Sequence, residues 1–212
     1  SQHSSGLIDL YSTNYESAPD TSFIIQSIGH LLHHGDQWRD NDVRWNQVCQ
    51  LIESFIRRAV PGIIKGGFHT PNHRWVISGA LALAIDLVPD LPEAKDAAEL
   101  IDTLLSEGID IDPEGAYTEH SIGLYDAVCN SSFLTLLTHY PKSAEYGILN
   151  AVTQNLCFDQ YLLNADGTAD SSLSKRQDYG SRIAPLALSA AYLHAANLCE
   201  EYHQSFRHPA EL

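Results

Sequence analysis

Apolar residues recur every three or four positions along most of this chain, which is the spacing of one face of an α-helix. Between Val43 and Ala59, for example, this period places the apolar side chains on a single stripe. Pro61 and Gly62 follow the stripe and predict the end of its helix. The whole pattern predicts helices over residues 22–34, 42–60, 92–107, 118–140, 143–163 and 181–202, with one more beginning at 70.

Residues 1–20 are mostly polar and lack this period, so we predict a polar N-terminal arm there. A chain of 212 residues holds one or two domains, and we predict a single domain over residues 21–212. The run from Asn164 to Gly167 has the composition of a tight turn, which predicts at most one short β-hairpin near residues 161–175. The predicted fold class is therefore all-α.

The predicted helices alternate in character along the chain. Those over residues 42–60, 92–107 and 143–163 carry most of the charge, whereas those beginning near 70, 118 and 181 are rich in small and aliphatic residues on more than one face. A helix that is apolar nearly all round is buried. The alternation predicts helical hairpins with an outer and an inner layer, as in an (α/α) toroid or a helical solenoid.

Polar clusters stand at the start of each predicted inner helix, over residues 68–75, 115–121 and 174–179. The step from His73 to Tyr125 is 52 residues and the step from Tyr125 to Asp178 is 53, which matches one helical hairpin per step. Helix N-termini at one end of a toroid would bring the clusters to one cleft. Their N–H groups would also favour an anion there.

The clusters contain groups suited to acid–base chemistry on an anionic substrate. The amide of Asn72 can donate to a carboxylate, and a neutral imidazole at His73 can act as a base. A tyrosine phenol such as Tyr125 can give or take a proton, and cations at Lys175 and Arg176 can hold an anion. Local capping by Asn72, core packing by Tyr125 and a surface ion-pair network remain alternative interpretations.

The formal net charge of −15, with 12 Lys and Arg against 27 Asp and Glu, argues against nucleic acid or an anionic membrane surface as a partner. No apolar run reaches the roughly 18 residues of a membrane span. His30, His33 and His34 have helical spacing but lack the glutamate of an HExxH site, so we predict no metal and no cofactor. No signal peptide is visible, which leaves a cytoplasmic or a periplasmic location open.

Two segments resemble the helical-toroid part of the heparinase II/III-like and alginate-lyase superfamily of polysaccharide lyases. Residues 70–75 read Thr-Pro-Asn-His-Arg-Trp, and the family pattern has an Asn-His pair opening one inner helix. Residues 115–125 are similar to the Gly-x-Tyr-x-Glu-x-Ser-x-x-Tyr-like stretch that opens the next helix, although His120 and Asp126 stand where the characterised lyases have other residue types. The resemblance extends over roughly residues 40–200, and residues 161–178 look like uncharacterised members of the group.

The resemblance implies β-elimination from a uronate-containing polysaccharide or oligosaccharide. It implies that Asn72, with or without Arg74, neutralises the substrate carboxylate. His73 serves as the base or holds the carboxylate or the base, and Tyr125 protonates the leaving oxygen. Tyr125 would also take the C5 proton in one epimer series, with Tyr117 as its substitute. The residues that the resemblance places against the substrate are Arg74, Trp75, Tyr117, Glu119, His120, Arg176 and Asp178. Family toroids commonly have more hairpins and are followed by a C-terminal β-sandwich domain, so the resemblance implies either an incomplete (α/α) toroid or a fragment of a longer protein.

Two other functions compete with elimination. A glycoside hydrolase on the same toroid needs two carboxylates beside the scissile bond, and Glu119 with Asp178 or Asp126 would be that pair. A non-catalytic carbohydrate-binding domain would stack sugars on aromatic rings such as Trp75 and Tyr179 and needs no base. An Asn-His pair without a clear carboxylate pair favours the lyase.

Overall fold

The computed structural model describes residues 1–11, 13–184 and 186–211. It is 63% helical with two short antiparallel strand pairs, which confirms the all-α prediction. The chain divides into two compact units, one made of Ser1–His69 and His73–Ser106 and the other of Thr70–Asn72 and Glu107–Leu212. The single domain over 21–212 and the toroid stay predictions.

The first unit is a strand pair followed by helices. Its elements are β1 (Ile8–Leu10), β2 (Asn14–Ser17), α1 (Ala18–Gly35), a 3-10 turn (Asp36–Trp38), α2 (Val43–Lys65), α3 (Pro71–Leu87, of which the first two residues belong to the second unit) and α4 (Ala94–Ser106). The predicted arm therefore holds an antiparallel strand pair that the hydrophobic period missed, because strands this short carry no clear alternation. Helix α1 also begins earlier than predicted, where the Ser17 side chain accepts the N–H of Asp20.

The prediction that Pro61 and Gly62 end α2 is wrong, since the helix continues to Lys65. A proline inside a helix removes one N–H donor, and burial of the following turn compensates for that loss. Ile63 in that turn is fully buried. Gly62 serves a different purpose, because a Cβ atom there would lie 2.5 Å from the carbonyl oxygen of Ser5. It lets the N-terminal segment pack against α2.

Helix α3 forms the centre of the first unit's core. Every side chain from Trp75 to Ala84 is buried, and the large ones among them are no more than 2% exposed. Helix α1 approaches it closely at Gly29, where a Cβ atom would lie 3.1 Å from Leu83 Cδ1. The burial of α3 on all sides is what its small and aliphatic composition predicts.

The second unit contains the remaining helices. Its elements are α5 (Tyr125–His139), a 3-10 segment (Pro141–Tyr146), α6 (Ile148–Gln160), β3 (Ala169–Asp170), β4 (Arg182–Ile183), α7 (Leu186–Leu198), a 3-10 turn (Glu200–Tyr202) and α8 (His203–Glu211). Helix α7 packs against α5, α6 and α8. The buried Tyr192 of α7 ties it to α6 by donating its hydroxyl to the carbonyl of Leu156 at 2.7 Å.

Several boundaries in this unit differ from the predicted ones, and the helix predicted over 181–202 is limited to α7, with β4 before it. Helix α5 begins at Tyr125 rather than near 118, because His120 has a left-handed backbone (φ 46°) that a helix cannot contain. Gly147, with φ 73°, delays the start of α6 in the same way. The turn at Asn164 forms as predicted, with a bridge between Leu163 and Ala169, but β3 then pairs with β4 outside the predicted range.

Candidate functional site

The Asn-His pair lies across the division between the two units. His73 belongs to the first unit, where its ring meets His69 edge-on at 4.7 Å between centroids and Phe23 at 6.2 Å. The guanidinium of Arg74 lies 4.1 Å from the centre of the Trp75 ring. Trp75 is 1% exposed, so its ring packs in the interior and presents no open face to a sugar. The roles expected for His73, Arg74 and Trp75 stay predictions.

Asn72 belongs to the second unit and holds a carboxylate there. Its backbone N–H, in the first turn of α3, donates to Glu119 Oε1 at 2.8 Å, and its side-chain oxygen accepts from Thr70 at 2.7 Å. Helix N-termini favour anions, so this is a natural place for the Glu119 carboxylate. Asn72 is fully buried, and its Nδ2 finds no acceptor among the described residues.

Glu119 anchors Arg176 from the interior. Its Oε2 accepts a hydrogen bond from Arg176 Nη1, and the two side chains are 1% and 28% exposed, respectively. Breaking such a pair from one side leaves a buried charge uncompensated, which is costly. The guanidinium has five N–H donors, so others are available to an anion at its partly exposed side. The second and third polar clusters of the sequence therefore meet here, together with Asn72.

Tyr125 stands beside this ion pair at the start of α5. The Arg176 guanidinium lies 4.6 Å from the centre of its ring, and the amide of Gln177 donates to its hydroxyl oxygen at 2.5 Å. Tyr125 is half-buried and Gln177 is exposed, so the phenol is reachable from solvent. Sequence reasoning missed Gln177, which is a neighbour of the recognised cations but has no charge of its own.

Asp178 fastens the two loops that carry these groups. Its carboxylate accepts from the hydroxyls of Ser121 and Ser174, both at 2.9 Å, and from the N–H of Gly123 at 3.0 Å. With three donors and 1% exposure, it is fixed inside the protein. This arrangement supports a positioning role for Asp178, in which it keeps Arg176 and Tyr125 side by side.

His120 and Tyr117 contribute to the same loops from different depths. His120 is half-buried, and its carbonyl accepts from the N–H of Lys175 at 2.7 Å, which joins the second cluster to the third. Tyr117 is buried, and its hydroxyl donates to Asn130 Oδ1 at 2.8 Å. Burial raises the pKa of the Tyr117 phenol well above its ordinary value, so Tyr117 is poorly suited to replace Tyr125 in proton transfer.

Behind the site runs a buried chain of polar side chains that links α5 to α6. From Tyr117 it passes through Asn130, whose Nδ2 donates to Asn155 Oδ1 at 2.7 Å. Asn155 Nδ2 then donates to the carbonyl of Gly115 at 3.0 Å and to Asp126 Oδ2 at 3.3 Å. Each of these amides is fully buried, so each partner is needed.

The chain ends at two buried carboxyl groups, Asp126 on α5 and Asp159 on α6. Burial raises the pKa of Asp126 to about 6 and that of Asp159 well above its ordinary value. Sequence reasoning considered Asp126 but missed the pairing. A signal was present, because Asp126 with Asn130 and Asn155 with Asp159 are both spaced i, i+4, which places two polar pairs on the buried faces of adjacent helices.

No protein-family model, curated protein or solved structure matches this chain. Within the described ranges, no helix combines the length and the apolar character that a membrane crossing requires. The chemistry of the site must therefore be read from its own residues. These are an accessible phenol, a cation beside it, and a buried carboxylate that fixes the cation.

Proposed function

We propose that the second unit belongs to a polysaccharide lyase that cleaves a uronate-containing chain by β-elimination, with Tyr125 transferring the proton. The observation that carries this proposal is the contact of the accessible Tyr125 ring with the Arg176 guanidinium, 4.6 Å from its centre. A phenol can act as base and acid, and a guanidinium binds a carboxylate. The two groups that an elimination needs, one to transfer the proton and one to bind the substrate carboxylate, are thus adjacent.

In the proposed reaction, Arg176 binds the substrate carboxylate and draws charge away from C5. The Tyr125 oxygen, as phenolate, removes the C5 proton, the C4–O bond breaks, and a C4=C5 double bond forms. The phenol then returns the proton to the departing oxygen, so no other reactant is consumed. Gln177 holds the Tyr125 oxygen in place by its hydrogen bond. Preorganised donors around a developing charge contribute strongly to such reactions.

Glu119 and Asn72 support the cation from behind. Since Asn72 is fully buried, we assign to it the fixing of Glu119 rather than direct contact with the substrate. Glu119 in turn fixes Arg176. His73, the base that the sequence resemblance implies, is not needed for this form of the reaction.

The arrangement of carboxylates favours elimination over glycoside hydrolysis. Glu119, Asp126 and Asp178 are each less than 5% exposed, and Glu119 and Asp178 are engaged by firm donors. A glycosidase needs two carboxyl groups that flank the substrate's bond. These groups lie behind the surface that a polysaccharide can reach.

The proposal is tested by the ultraviolet absorbance of the new conjugated double bond. The chain is incubated with alginate, heparan, hyaluronan and chondroitin in turn. We expect absorbance to rise with one of them and Tyr125→Phe, which removes the acid–base group, to abolish the rise. Arg176→Ala should reduce it at least about 100-fold, in line with the value of electrostatic stabilisation of a developing charge. Tyr161→Phe is the matched control, because Tyr161 is an exposed tyrosine of the same unit.

Two outcomes would overturn the proposal. One is a rise in absorbance that survives Tyr125→Phe. The other is sugar binding, measured by calorimetry, without any rise, which would support the non-catalytic binding domain instead.

A further inference from the structure

The interior of the second unit contains two carboxyl groups that lack conventional partners. Asp126 and Asp159 are 1% and 0% exposed. Asp126 Oδ1 and both oxygens of Asp159 receive no hydrogen bond from an N–H or O–H donor of the described residues. A buried carboxylate normally has several such donors or a cation beside it. This pair needs another explanation.

The two groups lie on packed helices and interact directly through their side chains, and Asn155, one turn before Asp159 on α6, donates to Asp126 Oδ2 at 3.3 Å. Two carboxylates cannot hydrogen-bond, because both only accept, whereas a protonated carboxyl donates its O–H to an ionised one. We propose that Asp126 and Asp159 share a proton that joins α5 to α6, and that loss of this proton at higher pH loosens the helix pair.

The surroundings of the pair favour the proton over two negative charges. The titratable groups that interact with it are Glu119, Asp178, Tyr117, Cys129 and Tyr192, from the loops before α5 and after β3, from α5 and from α7. Each of these groups is neutral when protonated and negative when deprotonated, so none can neutralise a second negative charge on the pair. Among the residues that the structure describes, the remaining donor is the amide of Asn155, which reaches one oxygen of Asp126.

The direction of the pH effect follows from proton counting. Both pKa values are raised in the folded chain, that of Asp126 to about 6, so the folded state binds more protons than the unfolded state above pH 4. The stabilisation is complete at low pH and is lost as pH rises. The pair titrates as a unit in two steps, and the shared proton is the one held to the higher pH.

The shared proton therefore stabilises the second unit more in acid than at neutral pH. It acts on the first turn of α5, where Asp126 directly follows Tyr125. When both carboxylates are charged, their repulsion separates the start of α5 from the end of α6. The inference does not depend on the proposed elimination, since it concerns only the proton and the two helices.

The test is urea unfolding of the full chain between pH 6 and pH 8. We expect the unfolding equilibrium constant of the natural chain to rise about tenfold per pH unit while one extra proton is bound in the folded state. In Asp159→Asn the introduced side-chain amide can donate a hydrogen bond to Asp126 without the binding of an extra proton, so this rise should disappear. Glu145→Gln, an exposed acid of the same unit, should keep it. An unchanged rise in Asp159→Asn would overturn the proposal.

A second measurement covers the case in which Asp159→Asn fails to fold. Infrared spectra of the natural chain with carbon-13 in its aspartate side chains should show a protonated carboxyl band at pH 6.5 that disappears on unfolding. Absence of this band would refute the shared proton. Stabilisation by added Ca²⁺ or Mg²⁺ at pH 8, lost in Asp126→Asn, would also refute it, because the pair would then hold a metal ion.

Discussion

Helices α3 and α5 are both buried on nearly every side, but they are filled with different kinds of residue. From Trp75 to Ala84, α3 buries aliphatic and small side chains with Ser78 as the one hydroxyl, and Ser78 is satisfied by the carbonyl of Arg74 at 2.9 Å. The buried face of α5 instead includes Asp126 and Asn130. The core around α3 thus consists mainly of packed apolar side chains, whereas the core around α5 combines such packing with specific polar partners.

This difference determines how each core should respond to change. An apolar core tolerates exchanges that conserve volume, and it suffers when side chains are truncated. A buried polar network tolerates little, because removing one member leaves its partners desolvated and without hydrogen bonds. The network of the second unit also lies directly behind Tyr125 and Glu119, so it fixes the site as well as the fold.

The largest effect is expected for truncation in the apolar core. Trp75→Ala should lower the free energy of unfolding by about 3–5 kcal/mol, because it removes a large buried ring and leaves a cavity. Trp38→Ala is the matched control, since Trp38 is 56% exposed, and it should change the free energy by less than about 0.5 kcal/mol. Urea unfolding measures both, and equal effects would contradict the assignment of Trp75 to the core.

The next effect tests the polar core by a substitution that keeps the number and branching of side-chain heavy atoms but removes hydrogen bonds. Asn155→Leu deprives Gly115, Asn130 and Asp126 of their partner, and each unsatisfied group costs about 1–3 kcal/mol. We expect a loss of about 2–4 kcal/mol by urea unfolding, since part of the network can relax.

The apolar counterpart of that substitution is Leu81→Met in α3. It conserves volume and removes no hydrogen bond, and its expected cost is below about 1.5 kcal/mol. If Leu81→Met proved as damaging as Asn155→Leu, the contrast between the two cores would be wrong.

How far sequence predicts such a molecule depends on the same contrast. The period of apolar residues located α2, α3 and α4 to within a few residues, because burial against a core produces that period directly. It misplaced the start of α5, where a single left-handed residue, His120, ends the preceding turn. A backbone angle of one residue leaves no periodic trace in a sequence.

The site was predictable in composition but not in arrangement. The sequence marked Glu119, Tyr125 and Arg176 as polar residues near helix starts, and the structure brings all three together. The sequence did not indicate that the Asp178 carboxylate would accept hydrogen bonds from Ser121, Ser174 and Gly123. It also did not indicate that Trp75 would be buried. Such partnerships depend on which loops meet, and spacing along the chain does not determine that.

A smaller effect is expected where the second unit's loops pack tightly. A Cβ atom at Gly123 would lie 3.1 Å from Asp178 Oδ2 and 3.2 Å from Ile183 Cδ1, so the neighbours must shift slightly. Gly123→Ala should cost about 1–2 kcal/mol. At Gly67 in the first unit a Cβ atom meets nothing within 4 Å, so Gly67→Ala should change stability by less than about 0.5 kcal/mol. Thermal unfolding compares the two variants, and a harmless Gly123→Ala would show that the loop is looser than its contacts indicate.

The smallest effects are expected for two surface ion pairs, one chosen from each unit. Lys95 and Glu99 on α4 are 85% and 66% exposed and 3.5 Å apart, so Lys95→Ala should cost only about 0.3 kcal/mol. Arg182 is also exposed, but it donates to both Asp166 at 2.6 Å and Thr168 at 3.0 Å, and so holds the turn before β3. Arg182→Ala should therefore cost more, up to about 1 kcal/mol. Urea unfolding in low and high salt separates the contributions, because salt screens the exposed charges but leaves the neutral Thr168 hydrogen bond. If both variants lost the same free energy of unfolding in high salt, the Arg182–Thr168 hydrogen bond would contribute nothing. Polar partners would then stabilise the second unit only in its interior.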